Sequence, residues 1–176
     1  MDGSSPGRAV LVFLSTILIL MIVLPLLYSN GSFIGLDGSA GVIDNWEKLS
    51  FADPLTRGIY LLGDFFCHQE TGRSFIINGS QMAFCQRDVS VLAGAIIGLI
   101  LTDKKISLIP TGNKLLVFIG IIMIISTFAE WGIESVFKVD VLAARVATGL
   151  LAGAGIVLIL QYIFTKEYEK VVLKKG

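Results

Sequence analysis

Apolar residues fall into long, nearly uncharged runs separated by polar connections, and that spacing predicts membrane-crossing helices. A bilayer core needs about 20 consecutive apolar residues. The first run, residues 9–28, carries no charge. Others cover 114–131, closing against Glu130 and Trp131, and 141–164, with Arg145 as its one charge. A further run, 82–102, opens on Cys85, Gln86, Arg87 and Asp88 before Val89 to Leu101 turns apolar. Its polar first turns must lie in protein or at the interface. The expected fold class is an all-α integral membrane protein of four transmembrane helices. A structured extracytoplasmic loop, residues 29–81, follows the first span, and 165–176 form a cytoplasmic tail.

The first run follows Arg8 and suits either a signal peptide or an anchor. It exceeds a signal core of about 7–15 residues and has no small-x-small cleavage site after it, which favours a retained anchor. Lys104, Lys105 and Lys114 lie between the second and third runs, and Lys166, Lys170, Lys174 and Lys175 follow the last. By the positive-inside rule these belong in the cytoplasm with both termini, in a multi-pass cell-membrane protein. Alternation of spans then brings Cys67, His68, Cys85, Asp88, Glu130, Glu134 and Arg145 to one membrane face, the outer. Gly94 and Gly98, like Gly149 and Gly153, have the four-residue spacing that lets helices approach closely, either within one chain or between subunits.

The long loop has its own pattern. Asp53-Pro54 reads as an N-cap carboxylate with proline at the first helical position. Leu55, Ile59, Leu62 and Phe66 follow on one helical face, and Arg57, Asp64 and His68 on another. This predicts a short amphipathic helix, lying on the membrane or tucked against the bundle. It ends at Cys67-His68-Gln69. Further on, Asn78-Gly79 between short apolar runs suggests a tight hairpin that returns Cys85 toward Cys67.

Composition supports this reading. Of 176 residues 54% are hydrophobic and 16% charged, with a mean hydropathy of +0.79, whereas soluble domains carry roughly 25% charge. Net charge is zero and there is no basic block, which argues against nucleic acid as a partner. The expected partners are the lipid bilayer and either other membrane subunits or further copies of the chain. Two cysteines and one histidine make up the reactive inventory.

Cys67-His68-Gln69, then Arg73-Ser74-Phe75, Gln81-Met82 and Cys85-x-Arg87 resemble a family of small prokaryotic membrane proteins known as domain of unknown function twenty eighty-five. Glu130-Trp131-Gly132-Ile133-Glu134, Arg145 and Thr148-Gly149 resemble its later elements. Many members have a third cysteine where this chain has Asp88. The resemblance implies a fold and a site, without an activity.

Two readings of the site remain open. Cys67, His68, Cys85 and Asp88 could ligate zinc or copper, because thiolate, imidazole and carboxylate suit both metals. Alternatively Cys67 and Cys85 form a disulfide, which on the chain-entropy estimate would stabilise the fold by roughly 3 kcal/mol. His68 would then hydrogen-bond, for instance to Asp64. Gln69, Arg73, Gln81, Arg87, Glu130, Glu134 and Arg145 form a supporting polar cluster. Its charges are best read as ion pairs, such as Arg145 with Glu130 or Asp88, or with Arg145 snorkelling to the interface. There is no nucleophile–base–acid set and no phosphate loop, so no enzyme is assigned. The first expectation is an accessory subunit of a larger membrane complex with a structural or metal-binding site. The alternatives are a membrane thiol–disulfide oxidoreductase and, third, an oligomeric transporter.

Overall fold

The computed structural model describes residues 6–103, 113–139 and 141–173. Lys104, Lys105, Lys174 and Lys175, used above for orientation, lie outside the described residues. The elements in chain order are α1 (Pro6–Val23), a 3-10 turn (Leu24–Leu27), α2 (Pro54–Phe66), a second 3-10 turn (Thr71–Arg73), β1 (Ser74–Ile77), β2 (Ser80–Cys85), α3 (Gln86–Leu101), α4 (Lys114–Phe137) and α5 (Leu142–Leu173). Among the described residues three stretches are long and apolar enough to cross a membrane: Gly7–Leu27, Lys114–Phe137 and Leu142–Glu167. The architecture is mostly helical, with one two-stranded antiparallel sheet.

Two compact units divide the chain, one formed by Thr16–Val89 and the other by the described residues on either side. In the first, hereafter the cap, Phe33, Leu36, Leu49, Ala52, Tyr60 and Ala83 form the apolar core. The Phe33 and Tyr60 rings stack at 4.2 Å. Helix α2 starts as its sequence predicts: the Asp53 carboxylate accepts from Leu55 N at 3.0 Å and Thr56 N at 3.2 Å, with Pro54 in the first turn. The chain then leaves the helix at extended Cys67 (φ −137°) and turns at Gln69, whose φ is +46°.

The hairpin also forms. Asn78 and Gly79 take φ of +51° and +67°, the paired left-handed conformation that a two-residue turn matching strand twist requires. Ile77 faces Ser80 and Ile76 faces Gln81, and after a bulge Ser74 faces Cys85. The second arm is longer than the sequence suggests. Met82 to Cys85, expected to begin the second span, are strand instead, because β1 supplies their backbone partners. Helix α3 therefore starts at Gln86 and has 16 residues, a length of about 24 Å.

In the second unit α5 packs parallel to α3 and antiparallel to α4. A Cβ on Gly94 would lie 2.1 Å from Leu150 O, and one on Gly153 1.9 Å from Val91 O. The glycine faces of α3 and α5 therefore meet within one chain. On the other side Gly120 and Gly155 meet, each Cβ position 2.7 Å from the other's carbonyl oxygen. The Thr127 hydroxyl donates to Thr148 O at 2.7 Å in the same register. Such contacts bring backbones together where lipid offers no hydrophobic force between helices. Both helices outrun their apolar cores: α4 continues past Trp131 to Phe137, closing on left-handed Lys138 (φ +51°), and α5 continues past Phe164.

Candidate functional site

Three chain segments meet at the site, and buried glutamines hold them together. Gln81, on β2, is fully buried. Its Oε1 accepts from Leu36 N at 2.9 Å, and its Nε2 donates to Leu36 O at 3.1 Å and Gln69 O at 2.7 Å. Gln69, also fully buried, donates from Nε2 to Tyr60 O at 2.9 Å and Ala83 O at 2.7 Å. One amide thus joins the loop before α2 to the chain after it, and the other joins α2 to β2. Gly63 permits the closeness of that second joint, since a Cβ there would sit 1.7 Å from Ala83 O.

Beneath Gln69 lies a second polar set that the sequence reading missed. Asp64 accepts from Asn45 N at 2.8 Å and from Asn45 Nδ2 at 2.6 Å, and Asn45 Nδ2 also reaches Asp37 O at 2.8 Å and Gln69 Oε1 at 3.3 Å. Asp64 was expected on a surface stripe with Arg57 and His68, and as a partner for His68. It is instead fully buried with Asn45, because α2 turns its Thr56, Tyr60, Gly63 and Asp64 face inward.

This frame delivers Cys67 from the end of α2, Cys85 from the end of β2 and Asp88 from the first turn of α3. Their two Sγ atoms and a carboxylate oxygen all lie within 4.8 Å of one another. Cys85 Sγ donates to Asp88 Oδ2 at 3.1 Å. Cys85 and Asp88 were expected three apart on one helix; Cys85 in fact closes the strand and Asp88 belongs to the helix. Both cysteines are free thiols, Cys67 buried and Cys85 half-buried. Hydrogen bonding with Cys85, then the Gln69 backbone, lowers the Cys67 pKa against the opposing effects of burial and Asp88. The same bond, then burial and Asp88, raises that of Cys85.

His68 is exposed and stands outside the group of three. Arg73 pairs with Glu70 at 3.2 Å, and Arg87 is half-buried on α3. Gln86, not singled out from the sequence, donates to Ser74 O at 3.1 Å and ties the start of α3 to β1.

The remaining predicted charges belong to the other unit. Arg145, 1% exposed, pairs with Glu134. The expected partners were Glu130 or Asp88, or else the interface. The antiparallel register that sets Gly120 against Gly155 and Thr127 against Thr148 brings Glu134 to Arg145 instead. Glu130 is half-buried on α4.

Comparison with known proteins follows the same residues. The family described as "Predicted membrane protein (DUF2085)" matches residues 67–159, from Cys67 through α3 and α4 into α5. An uncharacterised protein of Methanocaldococcus jannaschii is 31% identical over 117 residues, which are 64% of this chain and 72% of that protein. No solved structure matches. On the extent of these matches the chain belongs to this family of predicted membrane proteins.

Proposed function

We propose that Cys67, Cys85 and Asp88 bind a thiophilic metal ion, zinc or copper, on the outer side of a four-span membrane protein. The observation that carries this reading is the convergence of two sulfurs and a carboxylate oxygen within 4.8 Å. Thiolates with a carboxylate suit zinc, and three protein ligands leave a fourth position for water or an exogenous group. The acidic thiol at Cys67 favours binding because the thiolate, not the thiol, is the ligand. A second reading rests on the same closeness: a Cys67–Cys85 disulfide that staples α2 to β2.

Helix α3 serves as the fourth span in this proposal. In its support, Arg8 at the start of α1 pairs with Asp103, just past the end of α3, at 3.2 Å. The start of one helix and the end of the other thus share a level. With about 24 Å of helix against a core of about 30 Å, the polar turn Gln86-Arg87-Asp88 lies a few ångströms short of the far interface, where protein must shield it. Both termini then face the cytoplasm.

The test is metal analysis of full-length protein purified without a histidine tag, with thiol labelling before and after reductant. We expect stoichiometric metal in the wild type, lost in Cys67→Ser and Cys85→Ser and weakened in Asp88→Ala. Absence of metal from the wild type, or full occupancy in Cys85→Ser, would sink the metal site. Thiols that label only after reductant, with no metal bound, would establish the disulfide in its place.

A further inference from the structure

Helix α2 is amphipathic, yet it is seated with its apolar side outward. Its inward face is Thr56, Tyr60, Gly63 and Asp64. Its outward face is Leu55, Gly58, Leu62, Phe65 and Phe66, without a charge, and the four large side chains are 56%, 55%, 44% and 66% exposed. A helix folded against a soluble core alone would show the opposite arrangement. Contiguous exposed apolar faces of this kind mark a contact surface.

The position of the helix identifies what it contacts. The membrane-length segment Gly7–Leu27 ends one residue before Tyr28, and the Tyr28 hydroxyl donates to Asp53, the N-cap of α2. Asp53 N donates back to that hydroxyl at 3.0 Å. Helix α2 therefore starts at the level where the segment leaves the hydrocarbon. On its flank the Arg57 guanidinium lies 3.9 Å over the Trp46 ring, and Trp46 is 54% exposed. Tryptophan and arginine side by side suit the headgroup layer, where a ring can sit among glycerol esters and a cation beside phosphates.

From this we infer that α2 is an interfacial helix. Leu55, Leu62, Phe65 and Phe66 dip into the upper acyl region of the bilayer, and the polar frame of the cap rests on the helix from above. Helices of this type lie in the interface plane, about 5–10 Å into the headgroup and acyl boundary. The inference rests on the membrane character of the chain and is independent of any metal.

Single tryptophans test it. Full-length protein with Trp46→Phe and Trp131→Phe is reconstituted into phosphatidylcholine vesicles, and Leu62→Trp, Phe66→Trp or Glu47→Trp is added to that background. Lipids brominated near the headgroup or deep in the chain serve as quenchers, with acrylamide in the water. Tryptophans at 62 and 66 are expected to emit blue-shifted, to lose fluorescence to the shallow bromine more than to the deep, and to be shielded from acrylamide. The one at 47 should emit further to the red, lose little fluorescence to either bromine and be open to acrylamide. Phe66→Trp, a ring-for-ring exchange, keeps the test decisive if position 62 does not tolerate the larger side chain. The inference is overturned if 62 and 66 behave like 47. Protection from both bromine and acrylamide would also overturn it, by pointing to a protein partner, as would stronger deep quenching, by pointing to a span.

Discussion

In the cap, residues 29–53 contain no helix or strand, so side chains satisfy much of their backbone. Gln81 alone meets both polar groups of Leu36, and Asn45 reaches Asp37 O. The α4–α5 pair satisfies its own backbone through helical bonds. There the close contacts are between glycines, and a buried ion pair joins Glu134 to Arg145. The difference follows from the demands of each region. An irregular segment must import hydrogen-bond partners or leave buried groups unmet, whereas paired helices need only closeness. Polar substitutions should therefore damage the cap, and substitutions of size or charge should damage the helix pair.

The largest effect is expected at Gln81. Gln81→Leu keeps the volume but strips Leu36 N, Leu36 O and Gln69 O of their partner. Each buried group left unmet costs about 1–3 kcal/mol, so a loss of about 3 kcal/mol or more is expected. Hydrogen exchange should show residues 29–53 and the hairpin losing protection while α4 and α5 keep theirs. Equal loss in both units would break the contrast.

Arg145→Met comes next. Removing one partner of a buried pair costs about 3–5 kcal/mol, yet replacing both by apolar groups is often neutral. Arg145→Met should lower thermal stability in detergent, and adding Glu134→Leu should restore most of it. If the double substitution is as unstable as the single, the pair does more than hold the helices. A smaller loss, about 1–3 kcal/mol for overpacking, is expected for Gly120→Ala in the same thermal measurement, because α5 must shift away from the new methyl.

The sequence shows some of these features plainly and others hardly at all. Three of the four apolar runs, the Asp53-Pro54 start and the Asn78-Gly79 turn are local patterns, and each forms; the run at 82–102 opens as strand and becomes helix only at Gln86. The approach of Cys85 to Cys67 was legible because a two-residue turn fixes the return of the chain. What failed to show depends on tertiary choice. Asp64 pairs with Asn45, nineteen residues earlier, and nothing local distinguishes a buried carboxylate from a solvated one. Apolar periodicity on α2 grouped Leu55, Leu62 and Phe66 correctly, but Ile59 packs against the core, and the pattern could not say that the others would turn outward. Arg145 found Glu134 through a helix register that glycine contacts set.

The smallest expected effect separates the two regions by acid. Thr56 first, then the Tyr28 hydroxyl and the Thr56 and Leu55 amides, hold the Asp53 carboxyl at about 2 instead of 3.8. A carboxyl whose folded pKa is depressed contributes stability that is complete above the unfolded value and is lost as pH falls through the folded one. The α2 cap should thus be intact above pH 3.8 and weaken toward about 2. Helix α4 starts instead on the uncharged Asn113, whose side chain accepts from Leu115 N at 2.9 Å, so its cap has no carboxylate to titrate. Amide exchange at Leu55 and Thr56, corrected for intrinsic pH dependence, should accelerate across that window while exchange at Leu115 does not. Asp53→Asn should abolish the difference, and Tyr28→Phe should move the loss at α2 to higher pH. A Tyr28→Phe profile unchanged from wild type would mean that the Tyr28 bond does not set the Asp53 charge, and would remove one tie between α2 and the end of the first span.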